Sequence, residues 1–229
     1  MHTIHGLEEK IGYYFKNREL LKAAITHSSV KNEIKDKNLK NNERLEFLGD
    51  AVLELASSKC LFLKYPDMSE GKLTKLRASI VCEQTLASCA RNLGLGDFLI
   101  LSKGEENTGG RHRDSIISDA MEAVIGAIYL DGGFENADNF INQFILNDIE
   151  HKQLFHDSKT LLQEIVQKDY PGKDLTYELI RESGPDHDKL FNVQVEMESQ
   201  VLGEGEGKTK KAAEQQAAYN ALIKLQNFL

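Results

Sequence analysis

The chain has 229 residues, 41% of them hydrophobic and 28% charged, the balance of a soluble globular protein that can bury one large core or two ordinary ones. Its formal charge of -8 argues against generic attraction to nucleic acid, so any such reading must rest on local clusters of base. Cys60, Cys82 and Cys89 are odd in number and lack metal-ligand spacing, which argues against a disulfide framework or a zinc site and for reduced core thiols.

The opening MHTIHGLEE lacks a basic n-region and an apolar h-region, so no signal peptide is expected. The apolar stretch at 123–130 is too short to span a bilayer. No membrane partner and a cytoplasmic setting are the resulting expectations. Residues 7–15 and 19–25 carry apolar side chains at helical spacing and predict two short helices. The nearly all-polar run 31–42 predicts an exposed loop. A long helix is predicted over 43–64, with Leu45, Leu48, Val52, Leu55 and Cys60 on its core side and Tyr65-Pro66 ending it. Residues 69–92 read as a further helix or helix pair opening at the cap-like Ser69. The glycine-rich run 103–114 predicts a polar loop, followed by a strongly apolar helix over 115–130 that Asp131-Gly132-Gly133 stops. One more helix over 135–148 completes an all-α first domain, residues 1–149.

Residues 150–157 turn polar and read as a linker. A helix is predicted over 158–169, and then the period changes. Residues 190–198 alternate Phe191, Val193, Val195 and Met197 with polar neighbours, as a half-buried strand does, and 176–182 and 200–205 look like its partners in an antiparallel meander. A helix over 208–228 follows, with Ala212, Ala213, Ala217, Ala218, Ala221, Leu222 and Leu225 facing inward. The order α-β-β-β-α over 158–229 predicts a small α+β domain with both helices on one sheet face.

The chemistry is written in acids. Glu43, Glu46, Asp50 and Glu54 are spaced three, four and four apart, so they share one stripe of the long helix. Like charges at such spacing cost about 0.2–0.5 kcal/mol per pair, and no lysine shares the stripe to offset them. Alone, this pattern fits a solvated helix face equally well. A second pair decides against that: Asp119 and Glu122 are the only charged residues in SDAMEAVIGAIYL, residues 118–130, a segment apolar enough to predict burial. Buried carboxylates need a compensating partner, and a divalent cation is the natural one. All-oxygen ligation selects a hard ion, Mg2+ with Mn2+ as substitute, and points to phosphodiester hydrolysis. No P-loop or Rossmann fingerprint is present, so no nucleotide cofactor is expected.

The motif NERLEFLGD at 42–50 resembles the signature of the ribonuclease III family. The resemblance extends through residues 7–28, SEGKLTKLRA at 69–78 and residues 103–133, and covers nearly the whole chain. It implies the ribonuclease III endonuclease fold, a homodimer, and catalytic metal ligands at Glu46, Asp50, Asp119 and Glu122. Glu43 and Glu70 match two further acids that line the cleft and help place RNA, whereas Glu54 matches none and is left as a surface charge. Phe47 matches the residue that inserts into the partner subunit. His27 reads as structural. Arg111, His112 and Arg113 in the glycine-rich run read either as phosphate contacts or as a solvated loop.

The second domain is similar to the double-stranded RNA-binding domain through KTLLQE at 159–164, GPDH at 184–187 and the lysine-rich start of its last helix. Duplex RNA is read through 2'-hydroxyls and phosphates, by shape. The resemblance implies that Gln163 and Glu164 enter one minor groove and Pro185 and His187 another. Lys208, Lys210 and Lys211 would bridge phosphates, helped by the amides of a helix N-terminus. Residues 155–229 carry nine lysines and arginines against thirteen acids, so affinity is expected to be modest and strongly salt-dependent. Together the two resemblances imply a dimeric double-strand-specific endoribonuclease leaving 5'-phosphates, 3'-hydroxyls and short 3' overhangs, with ribosomal precursors as the family's usual targets. Two rival readings are a catalytically silent relative that only binds duplex RNA and a metal-dependent phosphohydrolase of small molecules. The six filled acid positions oppose the first, and the appended duplex-binding domain opposes the second.

Overall fold

The computed structural model describes residues 3–33, 40–184, 189–207 and 209–226. The chain divides into two compact units, Met1–Ile149 and Glu150–Leu229.

The first unit is helical: α1 (Ile4–Ile11), α2 (Arg18–Ala24), α3 (Glu43–Lys64), α4 (Glu70–Ile80), α5 (Glu83–Leu93), α6 (Lys103–Asn107), α7 (Asp114–Gly132) and α8 (Phe134–Phe144). Because α7 is apolar nearly all round it occupies the centre, with Ile117, Met121, Val124, Ile125 and Ile128 fully buried. Helices α2, α3, α5 and α8 pack around it. Its C-terminal Asp131 pins the α1–α2 connection, accepting hydrogen bonds from the Tyr13 hydroxyl at 2.8 Å and from the Lys16 and Asn17 amides at 2.9 Å each. The buried Glu8 carboxylate closes the same corner, accepting from the Phe15 amide at 3.1 Å and the Arg18 guanidinium at 2.8 Å. These polar contacts hold short helices that propensity alone would not maintain.

Two expectations are corrected here. Residues 103–114 form α6 and a 3-10 turn, Gly110–His112, rather than an open loop. Arg111 donates to the carbonyls of Gly96 at 2.6 Å and Leu99 at 3.0 Å and pairs with Glu106, while Arg113 pairs with Glu105 at 2.6 Å. These two arginines therefore brace the segment, and the His112 amide joins them by donating to the Gly109 carbonyl at 3.0 Å. Leu55, expected on the core side of α3, is 59% exposed. The cysteines are free, with Cys89 buried and Cys60 and Cys82 half-buried.

The second unit holds α9 (Ile149–Asp169), β1 (Leu175–Ser183), β2 (Leu190–Met197), β3 (Gln200–Gly207) and α10 (Lys210–Gln226). The strands form one antiparallel sheet in the order β1-β2-β3. Val195, Met197 and Leu202 meet Leu162 and Val166 of α9 and Ala217, Ala218, Ala221 and Leu222 of α10 in its core. Helix α9 begins well before the expected 158, so residues 150–157 are helical. The reason is packing: Leu154 joins the core, Phe155 lies edge-on to Tyr219 at 5.4 Å, and the Ser158 hydroxyl donates to the Gln215 carbonyl at 3.1 Å. Gly203, Gly205 and Gly207 alternate along β3 where any side chain would overlap the backbone or Cβ atoms of α10, which lets that alanine-rich helix sit directly on the strand. No described helix is long and apolar enough to cross a membrane.

Candidate metal centre and RNA-binding surfaces

The site is created by a helix crossing. A side chain at Gly49 of α3 would overlap the Glu122 carbonyl of α7, and one at Gly126 of α7 would overlap the Leu45 carbonyl of α3. Glycine inside a helix costs about 1 kcal/mol relative to alanine, so two of them facing each other mark a required close approach. Sequence reasoning passed over both, although an interior glycine in each of two acid-bearing helices was the available signal.

That crossing brings carboxylate oxygens of Glu46, Asp119 and Glu122 within 4.8 Å of one another. All three side chains are half-buried rather than fully buried, since they face the cleft beside the crossing. Asp50 lies outside this tight group and is exposed, yet its charge raises the pKa of both Glu46 and Glu122. Burial, followed by the charges of Asp50, Asp119 and Glu46, pushes Glu122 up to about 8. Burial, then Asp119, Glu43 and Asp50, raises Glu46. Burial and Glu83 raise Asp119, which the nearby His27 partly offsets. His27 otherwise acts as expected of a structural residue: its Nδ1 accepts from the Ser29 amide at 3.3 Å and caps a 3-10 turn, Ser28–Asn32.

The two ends of the α3 acid stripe are compensated, and its middle is not. Glu43 meets Lys31 at 3.4 Å and Asn41 at 2.8 Å. Glu54, left as a surface charge, pairs at 2.8 Å with Arg77, a base from α4 that helix periodicity could not reveal. Among the described residues, Glu46, Asp50, Asp119 and Glu122 have no ion pair. Several half-buried or exposed carboxylates without an ion pair repel one another in one cleft, and a hard cation with oxygen ligands fits this donor set. Glu70 stands at the first turn of α4, exposed, accepting from the Thr74 hydroxyl at 3.1 Å, and is not drawn into the group.

Phe47 is 81% exposed. With Ala51, Leu55 and Phe62 it forms an apolar stripe on the α3 face away from α7, where Leu55 and Phe62 are 59% and 69% exposed. A helix apolar on two faces buries one in its own core and leaves the other for a partner.

In the second unit Gln163 is half-buried and Glu164 exposed on α9, and Lys210 and Lys211 are exposed at the start of α10. The Thr209 hydroxyl accepts from the Ala212 amide at 3.1 Å, so one of the N-terminal amides expected to be free is already capped. Pro185, His187 and Lys208 lie outside the described residues.

A carboxylate centre in a helical unit, joined to an α+β unit with a basic helix start, defines a metal-dependent nuclease coupled to a duplex-RNA-binding domain. The family comparisons agree by region: residues 17–149 match the family described as Ribonuclease-III-like, and residues 158–225 match the double-stranded RNA binding motif. The chain belongs to the ribonuclease III family. It is 51% identical to "Ribonuclease 3" of Caldanaerobacter subterraneus over 96% of both chains, and 50% identical to that of Listeria monocytogenes over 98% of this chain and 99% of the other. Its fold is similar to the nuclease domain of ribonuclease III from Campylobacter jejuni, at a TM-score of 0.59 and 48% identity, covering 63% of this chain and 97% of that one. The Campylobacter structure is described as showing structural flexibility in a region involved in dimer formation.

Proposed function

We propose that this chain is an endoribonuclease that hydrolyses phosphodiester bonds in double-stranded RNA as a homodimer, each subunit's acid cluster cutting one strand. The single observation that carries this reading is the convergence of Glu46, Asp119 and Glu122 within 4.8 Å without an ion pair among the described residues. These three with Asp50 would hold Mg2+, or Mn2+ in its place. When bound, such an ion lowers the pKa of an attacking water and offsets charge on the phosphate. The protein's own part is geometric: the glycine crossing fixes the ligand oxygens, and the raised pKa of Glu122 falls once a cation replaces its protons.

Glu43 and Glu70 line the cleft and place the RNA strand. Gln163 and Glu164, Pro185 and His187, and Lys208, Lys210 and Lys211 form three contact points for the duplex. Phe47, exposed on an apolar stripe, inserts into the partner subunit. The products carry 5'-phosphates, 3'-hydroxyls and short 3' overhangs, and precursors of ribosomal RNA are natural substrates. RNA substrates and free thiols support a cytoplasmic setting. A catalytically silent relative is disfavoured because all six acids are present and the relatives carry the enzyme's name. The test is Glu122→Gln: duplex binding survives and cleavage in magnesium is abolished, whereas retained cleavage would remove Glu122 from the centre.

A further inference from the structure

The contacts around Glu43 give it a setting unlike that of the other acids. Its Oε2 accepts from Asn41 Nδ2 at 2.8 Å and from Lys31 Nζ at 3.4 Å, two donors on one oxygen. The Ser28 hydroxyl adds a smaller contribution to the same carboxylate, which these contacts, Asn41 first, hold below its ordinary pKa.

Lys31 stands on a tethered platform. Its 3-10 turn, Ser28–Asn32, is bound at its start by the His27 amide donating to the Ile100 carbonyl at 3.0 Å. The Ser102 amide reaches the Ser29 hydroxyl at 3.1 Å, and just past the turn the Lys103 amide reaches the Glu33 carboxylate at 2.7 Å. The α3 side is tied in as well, because the Asn42 amide donates to the Thr26 carbonyl at 2.9 Å. Donors on both sides of residues 34–39 therefore converge on one glutamate at the first turn of α3. An unheld glutamate would spread over several rotamers, and it stands one turn from Glu46, whose carboxyl its charge already disturbs.

We propose that Asn41 and Lys31 are positioning residues: they hold the Glu43 carboxylate in one orientation at the mouth of the acid cluster, and so set the rate and the position of strand cleavage through Glu43. This rests on the reading of Glu43 as a residue that places RNA. Lys31 acts as a counter-ion to Glu43 and not as a contact to phosphate. Asn41 supplies direction, because an amide donor fixes an oxygen more narrowly than an ammonium does.

The experiment uses the full-length protein, end-labelled duplex RNA and magnesium, with single-turnover rate, cut positions and duplex affinity without metal measured separately. Asn41→Ala and Lys31→Met each lower the single-turnover rate about three- to tenfold, the range for one exposed hydrogen bond, and broaden the cut positions while affinity holds. Lys31→Arg restores most of the Lys31 loss. In a Glu43→Gln background neither substitution has a further effect, as a double-mutant cycle requires of residues acting through Glu43. Equal losses with and without Glu43 would overturn the proposal. So would a Lys31→Met protein with weaker affinity and a shallower salt dependence at an unchanged rate, which would make Lys31 a phosphate contact. An impaired Glu43→Gln beside unaffected Asn41→Ala and Lys31→Met would defeat this inference alone, whereas a fully active Glu43→Gln would defeat the reading of Glu43 beneath it. Matching thermal melts exclude a folding defect.

Discussion

Gly49 of α3 and Glu122 of α7 are in backbone contact: the glycine faces the carbonyl of the very residue whose side chain enters the carboxylate centre. The spacing of the two helices therefore bears directly on the spacing of their ligand oxygens.

Gly49→Ala separates two opposing effects. In an exposed helix the change would add up to about 1 kcal/mol of stability through propensity. Here the methyl group overlaps the Glu122 carbonyl, and overpacking of this kind costs about 1–3 kcal/mol. A net loss in urea denaturation is expected, together with slower cleavage as the oxygens move apart. A variant as stable as the parent would mean that the helices are free to separate.

The raised pKa of Glu122 sets a pH dependence whose sign is fixed by linkage. The folded protein holds this proton up to about pH 8, while the unfolded chain releases it near 4.5. Between those values the folded state binds more protons, so this group's stabilisation falls as pH rises and levels off above about 8. The melting temperature of the metal-free protein, measured against that of Glu122→Gln, declines across this window. Added magnesium reverses the decline most strongly at its alkaline end, since the ligands must lose protons to bind a cation. A difference between the two proteins that stays flat with pH would place Glu122 in ordinary solvent.

Phe47 offers a test of assembly independent of chemistry. Removing a buried aromatic anchor costs about 2 kcal/mol or more at an interface, roughly thirtyfold in dissociation constant. Phe47→Ala is expected to shift sedimentation toward monomer and to lower double-strand cutting at dilute enzyme, with recovery at high concentration. An unaltered dissociation constant would leave Phe47 as an exposed side chain without a partner.

Local periodicity accounts for what could be read in advance. Helix α3 runs over the expected 43–64, and the alternation in β2 puts Val193, Val195 and Met197 inside, because each pattern depends only on near neighbours. What escaped was non-local. Leu55 lies on the outer of two apolar faces, and nothing within α3 says which face its own core takes. Arg77 neutralises Glu54 from another helix, and Lys31 reaches Glu43 from the preceding 3-10 turn, so the stripe is uncompensated only at its centre. The α9 extension likewise depends on Phe155 finding Tyr219 and Ser158 finding Gln215, partners that lie far along the chain.

Lys210 and Lys211 test how a domain of negative overall charge holds a polyanion. Both are exposed at the start of α10, beside a cap in which Thr209 takes one amide. If their charge acts on phosphates, each lysine replaced by glutamine should flatten the dependence of log affinity on log salt by nearly one unit, at about 0.9 per phosphate contact. The loss should be similar for duplexes of unrelated sequence, because phosphate contacts carry no sequence information. Fluorescence anisotropy across a salt series, with the metal withheld so that the duplex stays intact, gives both quantities. A slope unchanged in the double variant would move the phosphate contacts elsewhere on the domain, and α10 would then serve only to cover the glycine-lined face of β3.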